Sequence, residues 1–334
     1  MPRRRRLQEF VGGGIRAAAR VSPALGGALA YRAFFATSPR MPVREAEAAL
    51  FHEARRASLR VRGRAIAVFE WGEGAPAVLL MHGWRGRATQ FAPLVRELLA
   101  QGCRVVAFDA PGHGASPGRR ADIRDWVDAA ERLQASHGPF GVVVGHSFGA
   151  LAALACARSA VPVPAVVSIA GATSPVAFVE RFAHGLGLAG GVAEEMLVRL
   201  RRRLAVDEDE FARRYDAVRH PLPASTELLV AHDRGDRTMP CGEAVRLRGA
   251  HAGRSRLLLT EGCGHNRILA SDRVLAAVGA LARGDLRSVD ALAAEDEGAT
   301  AATTNQASAS QPEFPRAPSA PLMPPPNAAG SPAS

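Results

Sequence analysis

Six short apolar runs do most to limit what this chain can fold into. They read AVLLMH (77–82), CRVVAFD (103–109), FGVVVG (140–145), AVVSIA (165–170), TELLVAH (226–232) and SRLLLT (255–260). Several are apolar at nearly every position, which suits strands covered on both faces. Longer segments with helical spacing lie between them. QFAPLVRELLAQG (90–102) puts Phe91, Leu94, Val95, Leu98 and Leu99 on one side and ends at a glycine. IRDWVDAAERLQASHG (123–138) does the same with Trp126, Val127, Ala130 and Leu133, and SFGALAALACARSA (147–160) is small and apolar, as a helix buried against a sheet should be. DRVLAAVGALARG (272–284) follows the last run. The alternation predicts an α/β fold, a mostly parallel central sheet flanked by helices. Ahead of it, residues 46–58 read as a helix, RAIAVFEW as a further strand and WGEGAP as a turn.

The rhythm breaks once. Residues 171–225 hold helical patterns and no clear strand, which predicts a small helical insertion over one end of the sheet. Within it, RRR at 201–203 and DEDE at 207–210 read as a solvated surface of mixed sign. The ordered domain is expected to span 46–284. From Asp285 onward the chain is rich in Ala, Pro and Ser, with eight prolines after Gln311, and is expected to be disordered. Residues 1–45 form a basic, partly helical extension. Arg16, Arg20 and Arg32 interrupt its apolar stretch, which argues against a secretory signal, and no uninterrupted run is long enough to span a membrane. A helix packed on the domain is the favoured reading, ahead of weak peripheral contact with anionic lipid.

Composition narrows the function. All 42 basic residues are arginine, and the formal charge is +10. From Asp285 to the end the net charge is −4, leaving +14 on the first 284 residues. Such a surface attracts polyanions without specificity, but no nucleic-acid-binding motif accompanies it. Aromatic residues are only 5% of the chain, so the core must be mostly Ala, Val and Leu. The four cysteines stand apart with no CxxC, which suits reduced thiols and a cytoplasmic protein. There is no metal-ligand motif such as HExxH, and no cofactor is called for.

The piece GHSFG (145–149) carries the chemistry. A strand that ends, one residue in a strained turn and then a helix would raise the Ser147 hydroxyl toward solvent beside a helix N-terminus. Gly145 and Gly149 would remove side chains that collide where strand and helix approach. A serine needs a base, and His265, in the glycine-flanked loop TEGCGHNR (260–267), can reach it. His146 should point away into the packing, His82 and His113 should fix loops, and His251 should be exposed. The base needs an acid; HDRGDRTMP (232–240) offers Asp233 and Asp236, which spacing alone does not separate. The oxyanion would be held by the backbone N–H of Phe148 and by one from MHGWRGRA (81–88), with Trp84 the natural candidate.

Taken together, HGW (82–84), DAPGHGAS (109–116), GHSFG, HDRGDRTMP and GCGH (262–265) resemble the α/β-hydrolase fold superfamily, in its cap-bearing serine hydrolase or esterase-like branch. The resemblance covers about residues 60–284. It implies Ser147 as nucleophile, Asp236 as acid, His265 as base, and the amides of Trp84 and Phe148 as the oxyanion hole. It makes Asp109 structural and places the cap at 171–225. The family's acid loop usually reads H-G-x-x-D; here Asp233 stands at the glycine position, so it could assist or replace Asp236. The implied activity is cleavage of small to medium carboxylic esters, with Phe91, Phe178, Phe182 and Leu186 as a possible substrate pocket. Arg85 and Arg87 are expected to face solvent. Thioesterase, lactonase, acyltransferase or haloperoxidase-like chemistry on the same triad, and a non-catalytic binding protein on the same fold, are the alternatives.

Overall fold

The computed structural model describes residues 2–188 and 190–294. In chain order the helices α1 (Pro2–Val21), α2 (Pro23–Phe34) and α3 (Glu45–Glu53) precede the strands β1 (Arg55–Val61), β2 (Arg64–Trp71) and β3 (Ala77–Met81). Next come α4 (Ala92–Ala100), β4 (Arg104–Asp109), α5 (Ile123–His137), β5 (Val142–His146), α6 (Phe148–Ala157) and β6 (Ala165–Ile169). Three helices follow without a strand, α7 (Pro175–Gly185), α8 (Gly190–Leu204) and α9 (Glu208–Tyr215). The chain then forms β7 (Glu227–Asp233), α10 (Gly242–Ala250), β8 (Ser255–Thr260), α11 (Gly264–Arg267) and α12 (Asp272–Ala282). Among the described residues, no helix is long and apolar enough to cross a membrane.

The eight strands form one sheet in the order β1-β2-β4-β3-β5-β6-β7-β8. β2 pairs antiparallel with β1 and β4, and every pair from β4 to β8 is parallel. The two-residue strand period divides the apolar runs between two cores. Leu79, Met81, Val143 and Val166 face the layer containing Trp126 and Leu151 of α5 and α6. Val78, Leu80, Val142, Val144 and Val167 face Leu94 and Leu98 of α4 and Val274 and Val278 of α12. With both faces covered, β3, β5 and β6 are buried at every position.

The structure departs from the sequence reading in several places. The helix expected over 46–58 stops at Glu53, and Arg55–Val61 is an edge strand, exposed along most of its length. Its arginines hide the strand pattern while guarding the sheet edge against pairing with another chain. Arg62 and Gly63, with φ of 47° and 77°, make the tight turn back into β2. His251 is buried and accepts the Leu222 N–H at 3.0 Å. Arg203 is no solvated charge, since it bonds the Asp122 carboxylate at 3.1 Å. Residues 286–294 are helical with Val289 fully buried, so the disorder expected from Asp285 does not apply to them. The remainder of that tail, from 295, lies outside the described residues.

The N-terminal helices join the insertion between β6 and β7. Ile15 and Ala30 are buried with Val179, Val192, Met196 and Leu197. A Cβ on Gly27 would lie 2.4 Å from Glu195 Cβ, so α2 lies against α8 at a distance only glycine permits.

Candidate active site

The site lies where β5 gives way to α6. Ser147 has φ 54° and ψ −119°, a left-handed backbone that a non-glycine residue adopts only under constraint. Its N–H donates to Ile169 O at 2.9 Å, which holds the turn to β6. The flanking glycines are a steric requirement. A Cβ on Gly145 would lie 2.3 Å from Gly149 O, and one on Gly149 would lie 2.0 Å from Met81 O. The serine is more enclosed than a residue raised into solvent, with 8% of its surface exposed. The backbone of Gly83 closes over it, such that a Cβ there would stand 3.0 Å from Ser147 Cβ.

His265 reaches the serine from the opposite side. It sits on the single helical turn α11 rather than in an open loop. Its Nε2 is 2.9 Å from Ser147 Oγ and its Nδ1 is 2.7 Å from Asp236 Oδ2. The other Asp236 oxygen accepts the N–H groups of Thr238 and Met239 at 2.7 and 3.0 Å. Burial alone would raise this carboxyl's pKa. Hydrogen bonds from His232 and His265 outweigh it and hold the group well below the usual carboxylate range. Asp236 is therefore an anion fixed behind the imidazole.

The two carboxylates left open by spacing have different partners. Asp233 Oδ2 accepts from Thr260 Oγ1 at 2.9 Å and from Cys263 N–H at 2.8 Å, and Oδ1 accepts from Gly235 N–H at 2.9 Å. Asp233 thus braces the turn that carries His265, whereas Asp236 bonds the imidazole itself.

His146 has a position that the sequence reading missed. Its side chain does turn away from the serine, but it ends on His265. Nε2 donates to the His265 carbonyl at 2.8 Å, and Nδ1 accepts from Gln90 Nε2 at 3.0 Å. Burial foremost, and then the nearby His265, bring its pKa down to about 3, so the ring is neutral and each nitrogen keeps one role. Nothing in GHSFG distinguishes this histidine from packing, because its partners come from residues 90 and 265. Phe91 lies edge-on to His146, with centroids 6.5 Å apart, and is fully buried beside it. It therefore does not line a substrate pocket, contrary to the sequence reading.

The loop after β3 is pinned from both sides. His82 Nδ1 donates to Gly83 O at 2.7 Å and its Nε2 accepts Ala110 N–H at 2.9 Å. Burial lowers its pKa to about 4, so it too is neutral. Asp109 accepts the N–H of Ala88 and of Ala115, each at 2.7 Å, tying this loop to the one after β4. The Trp84 ring stacks on Trp126 and meets Phe148 edge-on, with centroids 5.8 and 5.2 Å away. Trp84 and Phe148, the two residues named for their amides, are thus neighbours beside Ser147. The arginines of this loop do not project into solvent. Arg87 is buried and donates to Met41 O at 3.2 Å; Arg85 is half-buried and donates to Ala36 O at 2.9 Å.

A pocket of about 190 Å³ opens beside Trp84 and Phe148. Phe178 and Phe182 of α7 line it, and so do Ala33 and Phe34 of α2. Leu186 does not; it packs in the cluster shared by the N-terminal helices and the insertion, and its carbonyl accepts from Arg16 at 3.0 Å.

A serine in a tight turn at the end of a central parallel strand, faced by a histidine and an aspartate from the ends of later strands, is the arrangement of one large class of enzymes. The sequence profile described as the Alpha/beta hydrolase family matches residues 78–326, and the chain belongs to that family. A pimeloyl-[acyl-carrier protein] methyl ester esterase of Xanthomonas campestris pv. campestris is 34% identical over 132 residues, 40% of this chain and 48% of that protein. Another, of Chromobacterium violaceum, is 42% identical over 83 residues, 25% of this chain and 31% of that protein. The chain thus spans less than half the length of these curated relatives. Among solved structures, an esterase of Pyrococcus furiosus aligns with a TM-score of 0.55 at 17% identity, over 73% of this chain and 96% of that one. Mouse alpha/beta hydrolase domain-containing protein 10 aligns with a TM-score of 0.53 at 17% identity, over 71% of this chain and all of that one. At such identity these likenesses establish the fold.

Proposed function

We propose that the protein is a serine esterase that cleaves carboxylic esters with small to medium apolar acyl groups through an acyl-enzyme intermediate. The observation that carries this reading is the unbroken chain Asp236–His265–Ser147, with links of 2.7 and 2.9 Å, ending on a serine at positive φ where α6 begins. In the first step His265 Nε2 takes the Ser147 proton as Oγ attacks the ester carbonyl. The negative charge on the carbonyl oxygen is held by the amides of Phe148 and Trp84, and Asp236 stabilises the imidazolium. Collapse expels the alcohol, which takes its proton from His265. Water, deprotonated by the same histidine, then releases the acid and restores Ser147.

The domain reading belongs to the same proposal. Residues 46–284 carry the chemistry and 171–225 act as its cap. The test is hydrolysis of p-nitrophenyl butyrate by the intact protein and by Ser147→Ala. The expected result is a loss of at least about 10⁴-fold, with labelling by a fluorophosphonate probe abolished in the variant. Equal turnover in the two proteins would remove Ser147 from the mechanism. A methyl ester of a carrier-protein-bound acyl chain, the substrate in the names of the bacterial relatives, belongs in the same panel.

A further inference from the structure

We infer that the end of the N-terminal hairpin is a working part of the substrate site, and that Phe34 sets the longest acyl chain the site accepts. The inference rests on the esterase reading for what the pocket holds, and on geometry alone for what builds it. The pocket has two unlike walls. One is α7 of the insertion, with Phe178 and Phe182; the other is the C-terminal end of α2, with Ala33 and Phe34. Phe34 meets Phe182 edge-on where the two walls join, with centroids 5.1 Å apart. Behind it lies a second, nearly filled space of about 10 Å³, bounded by Phe35, Ile123, Leu200 and Leu204. Phe34, Phe148 and Phe178 border both spaces. Phe34 is therefore the α2 component of the partition between them.

This wall is fixed to the loop beside the serine. The Ala36 carbonyl accepts the Trp84 indole N–H at 3.2 Å and the Arg85 Nε–H at 2.9 Å. Phe35 packs edge-on against Trp84, with centroids 5.6 Å apart. Thr37 is buried against Gly112, where an added Cβ would come within 3.0 Å of its Oγ1. Arg40 donates to Gly118 O at 2.9 Å. An arm held at four successive points positions Phe34 as firmly as a residue of the core.

The lining specifies the ligand. Apart from Arg85 it is aromatic or aliphatic, so it takes a hydrocarbon chain. At about 30 Å³ per water-sized group, the pocket holds on the order of six such groups, the size of a short acyl chain. A longer chain must pass the partition. Phe34→Ala should join the two spaces and Phe34→Trp should shorten the first.

The experiment reads chain length in two ways. One is kcat/KM for p-nitrophenyl esters from acetate to decanoate. The other is the Kd of straight-chain 1-alkanols from butanol to decanol by calorimetry, which needs no turnover. In Phe34→Ala the decanoate-to-butyrate ratio of kcat/KM is expected to rise at least about tenfold, with decanol binding strengthened in parallel; Phe34→Trp should move both the other way. Phe34→Leu serves if the alanine variant does not fold. An active protein whose length profiles are the same in wild type and the variants overturns the inference. A wild type with no esterase activity whose alkanol binding still shifts with residue 34 supports the pocket and overturns only the esterase reading.

Discussion

The floor and the roof of the site are built by different means. The floor is the end of the sheet, where Ser147, Asp236 and His265 stand on turns fixed by glycine contacts and directional hydrogen bonds. The roof is α2 against α7 and α8, joined chiefly by apolar side chains such as Ala30, Val179, Val192 and Met196. Hydrogen bonds fix a position to within tenths of an ångström and fail when one atom is changed. Apolar contacts are non-directional, and volume-conserving exchanges are well tolerated. In the proposed enzyme, reaction chemistry therefore belongs to the floor and choice of substrate to the roof.

The sharpest way to break that division is to change one floor carboxylate at a time. Asp236→Asn is expected to lower kcat by about 10⁴-fold, because an amide cannot stabilise imidazolium or enforce the tautomer. Asp233→Asn, three residues away, should instead lower stability by about 1–3 kcal/mol, since a buried acceptor of three hydrogen bonds is impaired, with kcat reduced less than about tenfold. Ester kinetics and urea denaturation of both variants decide the matter. If Asp233→Asn loses as much kcat as Asp236→Asn, the two carboxylates act as a unit.

A smaller effect is expected one layer below. His146 holds the His265 carbonyl and is itself held by Gln90. His146→Ala should cost about 10–100-fold in kcat with KM nearly unchanged, because His265, the proposed base, is displaced while the pocket is not. His146→Gln, which can still donate to that carbonyl, should recover part of the loss. A KM effect equal to the kcat effect would show that the residue acts through general packing.

These two regions also differ in how far they can be read from sequence. The elbow is legible because glycine at 145 and 149 is demanded by contacts within a few residues or with the adjacent strand, which leaves the serine between them conspicuous. The parallel strands are legible because burial on both faces leaves continuous apolar runs. β1 is hidden because an edge strand needs no apolar pattern and its arginines resemble a helix surface. The roof is hidden for a different reason. Phe34 lies in a basic extension whose composition suggests an appendage, and only its contact with residue 182 and its share in the pocket wall with Trp84 show its place. Phe91, by contrast, carries the pattern of a pocket aromatic but belongs to the opposite core layer. Sequence spacing assigns a residue to a face of its own helix, and cannot say which distant face it meets.

The weakest predicted effect joins the two regions. Asp122 caps α5 on the floor side and accepts from Arg62, Arg124 and, across the seam, Arg203 of α8, at 3.0, 2.9 and 3.1 Å. Burial pushes its pKa up, but Arg124 first, then Arg62 and Arg203, bring it down to about 2. A carboxyl with a lower pKa folded than unfolded stabilises the fold above its unfolded value, near 4, and loses that contribution as pH falls toward 2. Wild type should therefore exceed Asp122→Asn in stability by about 2 kcal/mol at pH 7, and the gap should close between about pH 5 and pH 2. Arg203→Gln removes that side chain's bonds across the seam, to Asp122 and to Ala121 O, and leaves those from Arg124 to the carbonyls of Arg203 and Leu204. Its expected signature is faster hydrogen exchange near residues 200–204, with a global loss of about 1 kcal/mol or less. If Arg203→Gln instead destabilises the sheet as much as Asp122→Asn does, floor and roof unfold as one unit and the division between them fails.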